Sequence, residues 1–203
     1  PRFPRADLLM GFFSQDRGVP DRPLRHSRRA LNLVGGWGRG GRALPEAHLR
    51  AGQCLLERGS VFRALIHLQV ASGERPGSVE AQTSLARALV QAAQAGKLRG
   101  GYERGREAAG HALKLDSSVP EPHFILGFIL LVHDKRPEAA AERFARAAEL
   151  SPGYAAAAYH EGVAREHAGQ FDRAQEAYEM ALRRRKPYYE ARYALARLLL
   201  RTN

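Results

Sequence analysis

Residues 162–187, GVAREHAGQFDRAQEAYEMALRRRKP, decide the fold of this chain. Gly162 is followed by Ala174, Ala181 and Pro187, in steps of 12, 7 and 6. The series recurs from Gly52 to Ala64, Ala71 and Pro76 in steps of 12, 7 and 5, and from Gly127 to Ala140, Ala147 and Pro152 in steps of 13, 7 and 5. From Ala86 the steps are 19, 7 and 5, to Gly105, Ala112 and Ser117. The opening marks Gly52, Ala86, Gly127, Gly162 and Ala196 are spaced by 34, 41, 35 and 34, so the two longer periods are one repeat with extra residues in its inner turn. A period near 34 predicts an array of helical hairpins, none of which can bury its apolar face alone.

Small residues belong where two helices of a hairpin touch, because only Gly or Ala lets the backbones approach closely, and Pro ends the second helix because it cannot continue one. Large residues fill the spaces between: Leu55 and Leu68, then Leu89 and Tyr102, then Leu130 and Phe144, then Phe171 and Tyr178. On these residues, over 45–203, the chain resembles the tetratricopeptide repeat family. The resemblance implies an all-α, right-handed solenoid of about four helix-turn-helix repeats, with Leu195, Ala196 and Leu199 opening a further, C-terminal helix. Glu161 and Arg165 stand where large residues are expected, which predicts a thinner apolar contact there. The second unit's inner turn, Gln91 to Gly101, is seven residues longer than the others, about two helical turns. Its first helix is expected to run on before the Gly-rich turn.

Composition bounds the remaining classes. The apolar share of 44% supports a real core. The single cysteine, Cys54, excludes a disulfide framework and reads as a small core residue. No run of ~18 apolar residues is present, so no membrane span is expected. The opening Pro1-Arg2-Phe3-Pro4-Arg5 lacks the apolar run of a signal peptide and the chain does not open on Met, which suggests a processed or incomplete N-terminus. A soluble, intracellular or organellar protein is the expectation. The net charge of +11 is uneven: residues 1–44 carry nine Arg against three Asp, and the repeats carry 23 basic against 18 acidic side chains.

Residues 1–44 show no persistent helical or strand period and read as an extended basic arm rich in Gly, Pro and Arg. Its apolar block Leu8, Leu9, Met10, Gly11, Phe12 and Phe13 is the expected anchor, with Trp37 inside the stretch Gly35–Arg42. Three uses are open for the arm: packing on its own repeats or a neighbouring copy, threading into a multisubunit assembly, or binding RNA with Trp37 stacking on a base. Gln15 stands where N-myristoylation after Met10-Gly11 would need Ser or Thr.

The resemblance also implies that the first helix of each hairpin lines a concave surface where peptides lie. Its inward positions fall on Leu49, Gln53 and Leu56, then Thr83, Arg87 and Val90, then Phe124, Phe128 and Leu131. The fourth helix adds Tyr159, Val163 and Glu166, and the last adds Tyr193, Arg197 and Leu200. Independently, Phe124, Phe128 and Leu131 recur at i, i+4 and i+7, one face of a helix. The opposite face, Ile125, Leu126, Ile129 and Leu130, is apolar enough to supply the core, which leaves the two Phe for an apolar or aromatic ligand flanked by Arg87 and Arg197. Leu49 and Gln53 occupy the places where the chaperone-tail-binding members carry a Lys and Asn clamp, which argues against that specificity.

Neither a metal nor a cofactor is expected, and no enzyme activity. His160 and His167, two turns apart on one helix, read as surface residues; His48 and His123 read as core-edge. No strand precedes a Gly-rich phosphate loop. The expected role is therefore a scaffold that binds protein partners. The alternatives are a homo-oligomer stacked through Leu198, Leu199 and Leu200, or an RNA-associated subunit using the arm and Arg183-Arg184-Arg185.

Overall fold

A computed structural model describes residues 45–202. The 1–44 arm, with the anchor candidates Leu8, Leu9, Met10, Phe12, Phe13 and Trp37, lies outside the described residues. Nine helices follow one another in this region: α1 Pro45–Glu57, α2 Val61–Glu74, α3 Val79–Gln94, α4 Gly101–Leu115, α5 Pro120–Val132, α6 Pro137–Leu150, α7 Ala155–His167, α8 Phe171–Arg184 and α9 Tyr189–Thr202. Each odd helix packs on the even helix after it, each even helix packs on the next odd one, and α1–α3 and α3–α5 also touch. The result is four stacked hairpins and a terminal helix. Among the described residues no helix is long and apolar enough to cross a membrane.

The regular spacing of small residues is the close-contact seam of this stack. A Cβ on Gly52 would stand 2.5 Å from Leu68 Cγ, and one on Gly127 would meet the Phe144 ring at 3.0 Å. Leu68, Phe144 and Tyr178 are fully buried, each contributing about 2–3 kcal/mol through the apolar surface it removes from water. Between the two helices of a hairpin the chain must reverse through a left-handed residue. Gly59, Gly96 and Gly169 take that conformation, and Lys135 takes it in the third hairpin, where the turn is one residue longer. Helix starts follow local chemistry: Ser78 Oγ accepts from the Ala81 amide at 3.2 Å, and Pro120 and Pro137 open α5 and α6.

The second unit extends as expected. α3 continues to Gln94, and Gly96 and Gly100 turn the chain before α4. Arg106 then forks onto both Asp134 oxygens at 2.8 Å, and the Tyr102 ring stacks on His133 at 4.7 Å, tying the enlarged hairpin to the next. In α7, Glu161 and Arg165 lie side by side, Nε to Oε1 3.7 Å and both largely buried. Burial pushes the Glu161 carboxyl up, against the pull of Arg165.

Three expectations are corrected. Cys54 is exposed rather than core, because among the described residues no helix precedes α1 to cover it. Ala196 is exposed, since no described helix follows α9 to close on it. Leu198 is buried, so of the terminal leucines Leu200 is the one left open.

Candidate functional site

The odd helices carry the candidate contact residues, and their seams are stitched by polar side chains. At the first seam, Gln53 Nε2 donates to Glu80 Oε1 at 2.9 Å and to Ser84 Oγ at 3.1 Å, and Arg50 donates to the same Glu80 oxygen at 3.0 Å. Leu49 and Leu56 are buried in the core beside them, as are Thr83 and Val90. Arg50, Gln53 and Glu80 form the edge of this seam that meets solvent.

At the middle seam Arg87 pairs with Glu121 at 3.0 Å, and the Tyr154 hydroxyl donates to the other Glu121 oxygen at 2.9 Å. Burial and the adjacent Glu121 carboxylate hold the Tyr154 hydroxyl firmly protonated. Phe124 is half-buried and engaged on several sides. It stacks on Tyr154 at 5.2 Å and meets Phe144 and His160 edge-on, each at 5.3 Å. Phe128 and Leu131 are half-buried in the same cluster, Phe128 edge-on to His160 at 6.4 Å. The face carrying the two Phe therefore also packs, because α7 presses its aromatic residues against it. His160 is corrected from a surface residue to a member of this cluster; burial lowers its basicity. His167 is exposed.

At the last seam Glu166 is the hub, with its carboxylate only 9% exposed. Arg197 Nη2 donates to both its oxygens at 3.0 Å, Arg201 approaches Oε1 at 3.3 Å, and the Tyr178 hydroxyl donates to Oε2 at 3.0 Å. Two guanidinium groups on one carboxylate leave a net positive charge whose outer N–H donors face water. Tyr159 sits between Tyr178 and Tyr188, at 5.9 and 5.5 Å, with Val163 half-buried next to it. Tyr193 and Leu200 stand open on α9, 72% and 87% exposed.

Residues 159–203 match the family model described as a tetratricopeptide repeat, which is the stretch holding this last seam. That stretch reads as a tetratricopeptide repeat. Solved structures of the same fold agree over far more of the chain's length. A thermophilic tetratricopeptide-repeat protein of Thermus thermophilus is 19% identical, covers 96% of each chain and superposes with a TM-score of 0.72. PilF of Pseudomonas aeruginosa is 24% identical over 78% of this chain and 68% of its own, with a TM-score of 0.66. YrrB, a tetratricopeptide-repeat protein with an unusual peptide-binding site, is 17% identical over 77% of this chain and 76% of its own, with a TM-score of 0.58. No curated protein sequence matches the chain.

Both guanidinium groups expected to greet a ligand, Arg87 and Arg197, already hold internal carboxylates. Glu121 and Tyr154, which complete the middle seam, carried no signal of their own in sequence. The two lie 33 residues apart, one repeat on, and that regular separation was the available clue. The Arg183-Arg184-Arg185 run is not a uniform basic patch: Arg183 pairs with Glu179 at 3.7 Å, Arg184 is half-buried, and Arg185 lies over the Tyr188 ring at 4.9 Å. Between α7 and α8 a polar cleft of about 240 Å³ is lined by Glu161, Arg165, Arg173, Glu176, Ala177 and Met180, with Glu161 and Arg165 facing each other inside it. Among the described residues no group of three or more His, Cys, Asp or Glu side chains is placed to hold a metal ion.

Proposed function

We propose that this protein is a protein-interaction module that recognises a partner segment along the odd-helix face of α5, α7 and α9. The observation that carries the reading is the pairing of Tyr193 and Leu200, both open on α9, with Arg197 and Arg201, whose combined charge Glu166 only half neutralises. Large apolar groups left in water beside unsatisfied guanidinium donors favour a segment that brings an apolar or aromatic side chain next to a carboxylate. Phe128, Leu131 and Val163 extend the apolar track, and Arg87 offers a second cation at its far end. Peptide binding on this fold, as in YrrB, lends the reading support. The arm of residues 1–44 serves as a separate attachment within a larger assembly.

A displayed random-peptide library panned on the full chain tests the proposal. Enriched peptides should combine aromatic or branched apolar residues with Asp or Glu. Their binding, followed by fluorescence anisotropy, should be lost in a Tyr193→Ser, Leu200→Ser variant that melts like the parent. No enrichment, or enrichment indifferent to these two substitutions, overturns it.

A further inference from the structure

In each odd helix, the residue before the small mark and the residue three after it share one side of the helix. They are Ala51 and Leu55 in α1, Leu85 and Leu89 in α3, Leu126 and Leu130 in α5, and Leu195 and Leu199 in α9. Leu55, Leu85, Leu89 and Leu126 pack into one continuous core. In α7 the pair is charged instead, Glu161 and Arg165. An apolar plug has been exchanged for two ionic groups, each with only 15% of its side chain exposed. Burying charge where the other repeats bury leucine costs stability, and such a break in an otherwise consistent pattern is where a site is expected.

The polar cleft of about 240 Å³ between α7 and α8 opens at this pair. Ala177 and Met180 give it an apolar wall, and Arg173 and Glu176 stand exposed at its mouth. Its charges do not balance. Of the Arg165 guanidinium, Nη1 donates to Gln170 Oε1 at 2.7 Å, and Nε is sealed from solvent without an acceptor, Glu161 Oε1 standing 3.7 Å away. Nη2 is left to meet a ligand. Arg184, further along α8, acts on the same Glu161 carboxyl, and its Nη1 is sealed without an acceptor as well. Three guanidinium groups, Arg165, Arg173 and Arg184, thus stand against two carboxylates, Glu161 and Glu176. Glu149 is also felt by Glu161, but Arg146 already holds it at 3.0 Å. Burial pushes the Glu161 carboxyl up, against the pull of Arg165 and Arg184, which leaves the cations still less neutralised.

We propose that this cleft binds a small aliphatic carboxylate, with its charge on Arg165 and Arg173 and its chain along Ala177 and Met180. An anion there supplies the missing negative charge and an acceptor for the open Nη2. The volume equals about eight waters at about 30 Å³ each, room for a chain of about four to six carbons. Glu161 and Val163 are two residues apart, about 200° round the helix, so the cleft lies on the side of α7 away from the proposed partner face.

Isothermal titration of the full chain with sodium hexanoate at fixed ionic strength tests the site. The parent should bind it, and a Glu161→Leu, Arg165→Leu variant, which restores the apolar pair of the other repeats, should bind it about tenfold more weakly or worse. Arg173→Glu, at an exposed residue whose change leaves the packing intact, should weaken binding about fivefold or more. Tyr193→Ser, Leu200→Ser should leave it unchanged, because those residues belong to the separate partner face. The absence of binding heat in the parent overturns the proposal, as does parental affinity in either cleft variant or a loss seen with Tyr193→Ser, Leu200→Ser. Hexanol binding as tightly as hexanoate removes the role of the charge and overturns it. Sulfate binding as tightly as hexanoate makes the cleft a general anion site and overturns the assignment to a carboxylate with a chain.

Discussion

Gly162 lies so close to Tyr178 that a Cβ at residue 162 would fall 2.5 Å from the ring's Cδ1 and Cε1 atoms. Tyr178 cannot swing aside: its ring is fully buried and its hydroxyl is fixed on Glu166. Gly162→Ala should therefore destabilise the protein by about 1–3 kcal/mol through overpacking. Gly110→Ala, inside α4 with nothing within 4 Å of the added carbon, should instead stabilise it by about 0.5–1 kcal/mol through helix propensity. Paired thermal melts read both signs. A Gly162→Ala protein as stable as the parent would show that the two helices do not meet this closely.

His48 and His67 face each other across the first hairpin, Nδ1 to Nδ1 2.9 Å, a contact that one ring must donate and the other accept while both are neutral. Burial and then the neighbouring His48 bring His67 down to about 4, and burial lowers His48 against the pull of Glu74. Both folded values lie below the ordinary 6.5, so the unfolded chain binds more protons as the pH drops. Stability is thus full above about pH 6.5 and falls as the pH is lowered towards 4, by roughly 3 kcal/mol if His67 behaves as its burial implies. In a His67→Leu variant, urea melts between pH 7 and 4 should lose most of that slope. A slope unchanged by the substitution removes His67 as its source.

Glu166 and its cations should respond unequally. Glu166→Gln leaves Tyr178 a partner but removes the charge that gathers Arg197 and Arg201, and should cost about 1–3 kcal/mol at a site so nearly closed to water. Arg197→Ala should change stability by less than about 1 kcal/mol, because its side chain is largely solvated and screened and Arg201 still reaches the carboxylate. Denaturant midpoints measured at two salt concentrations test the contrast. If Arg197→Ala proves as costly as Glu166→Gln, the seam depends on the ion pair rather than on the buried acceptor.

Phe124 and Tyr193 occupy corresponding places on α5 and α9, yet one is walled in by Tyr154, Phe144 and His160 and the other stands in water. Phe124→Ala should lower stability by about 2–4 kcal/mol, and Tyr193→Ala should fall within about 0.5 kcal/mol of the parent. Circular dichroism melts decide it. A Phe124→Ala protein that keeps its melting temperature would mean the ring does not hold α5 to α7.

The repeat was legible because its constraint is short-ranged. A Gly at 52, 127 or 162 is demanded by one facing side chain, Leu68, Phe144 or Tyr178, on the other helix of the same hairpin, so these three units repeat nearly the same spacing. The extended α3 follows from an equally local count. The candidate site was legible only as a set of positions on one face. Whether Phe124 was open or packed depended on what α7 brought against it, and Tyr154 and His160 lie 30 and 36 residues further on.

The sequence by itself determined the helical hairpins, their number and their stacking order, because small residues recurring at nearly constant steps mark where each helix meets its neighbours along the chain. Tertiary structure alone decided the rest. It gave Arg87 to Glu121 and Arg197 to Glu166, because long side chains choose partners by reach across a seam rather than by spacing in the chain. It also left Cys54 and Ala196 uncovered while burying their counterparts, because burial at either end of a stack is set by the neighbour and not by the residue.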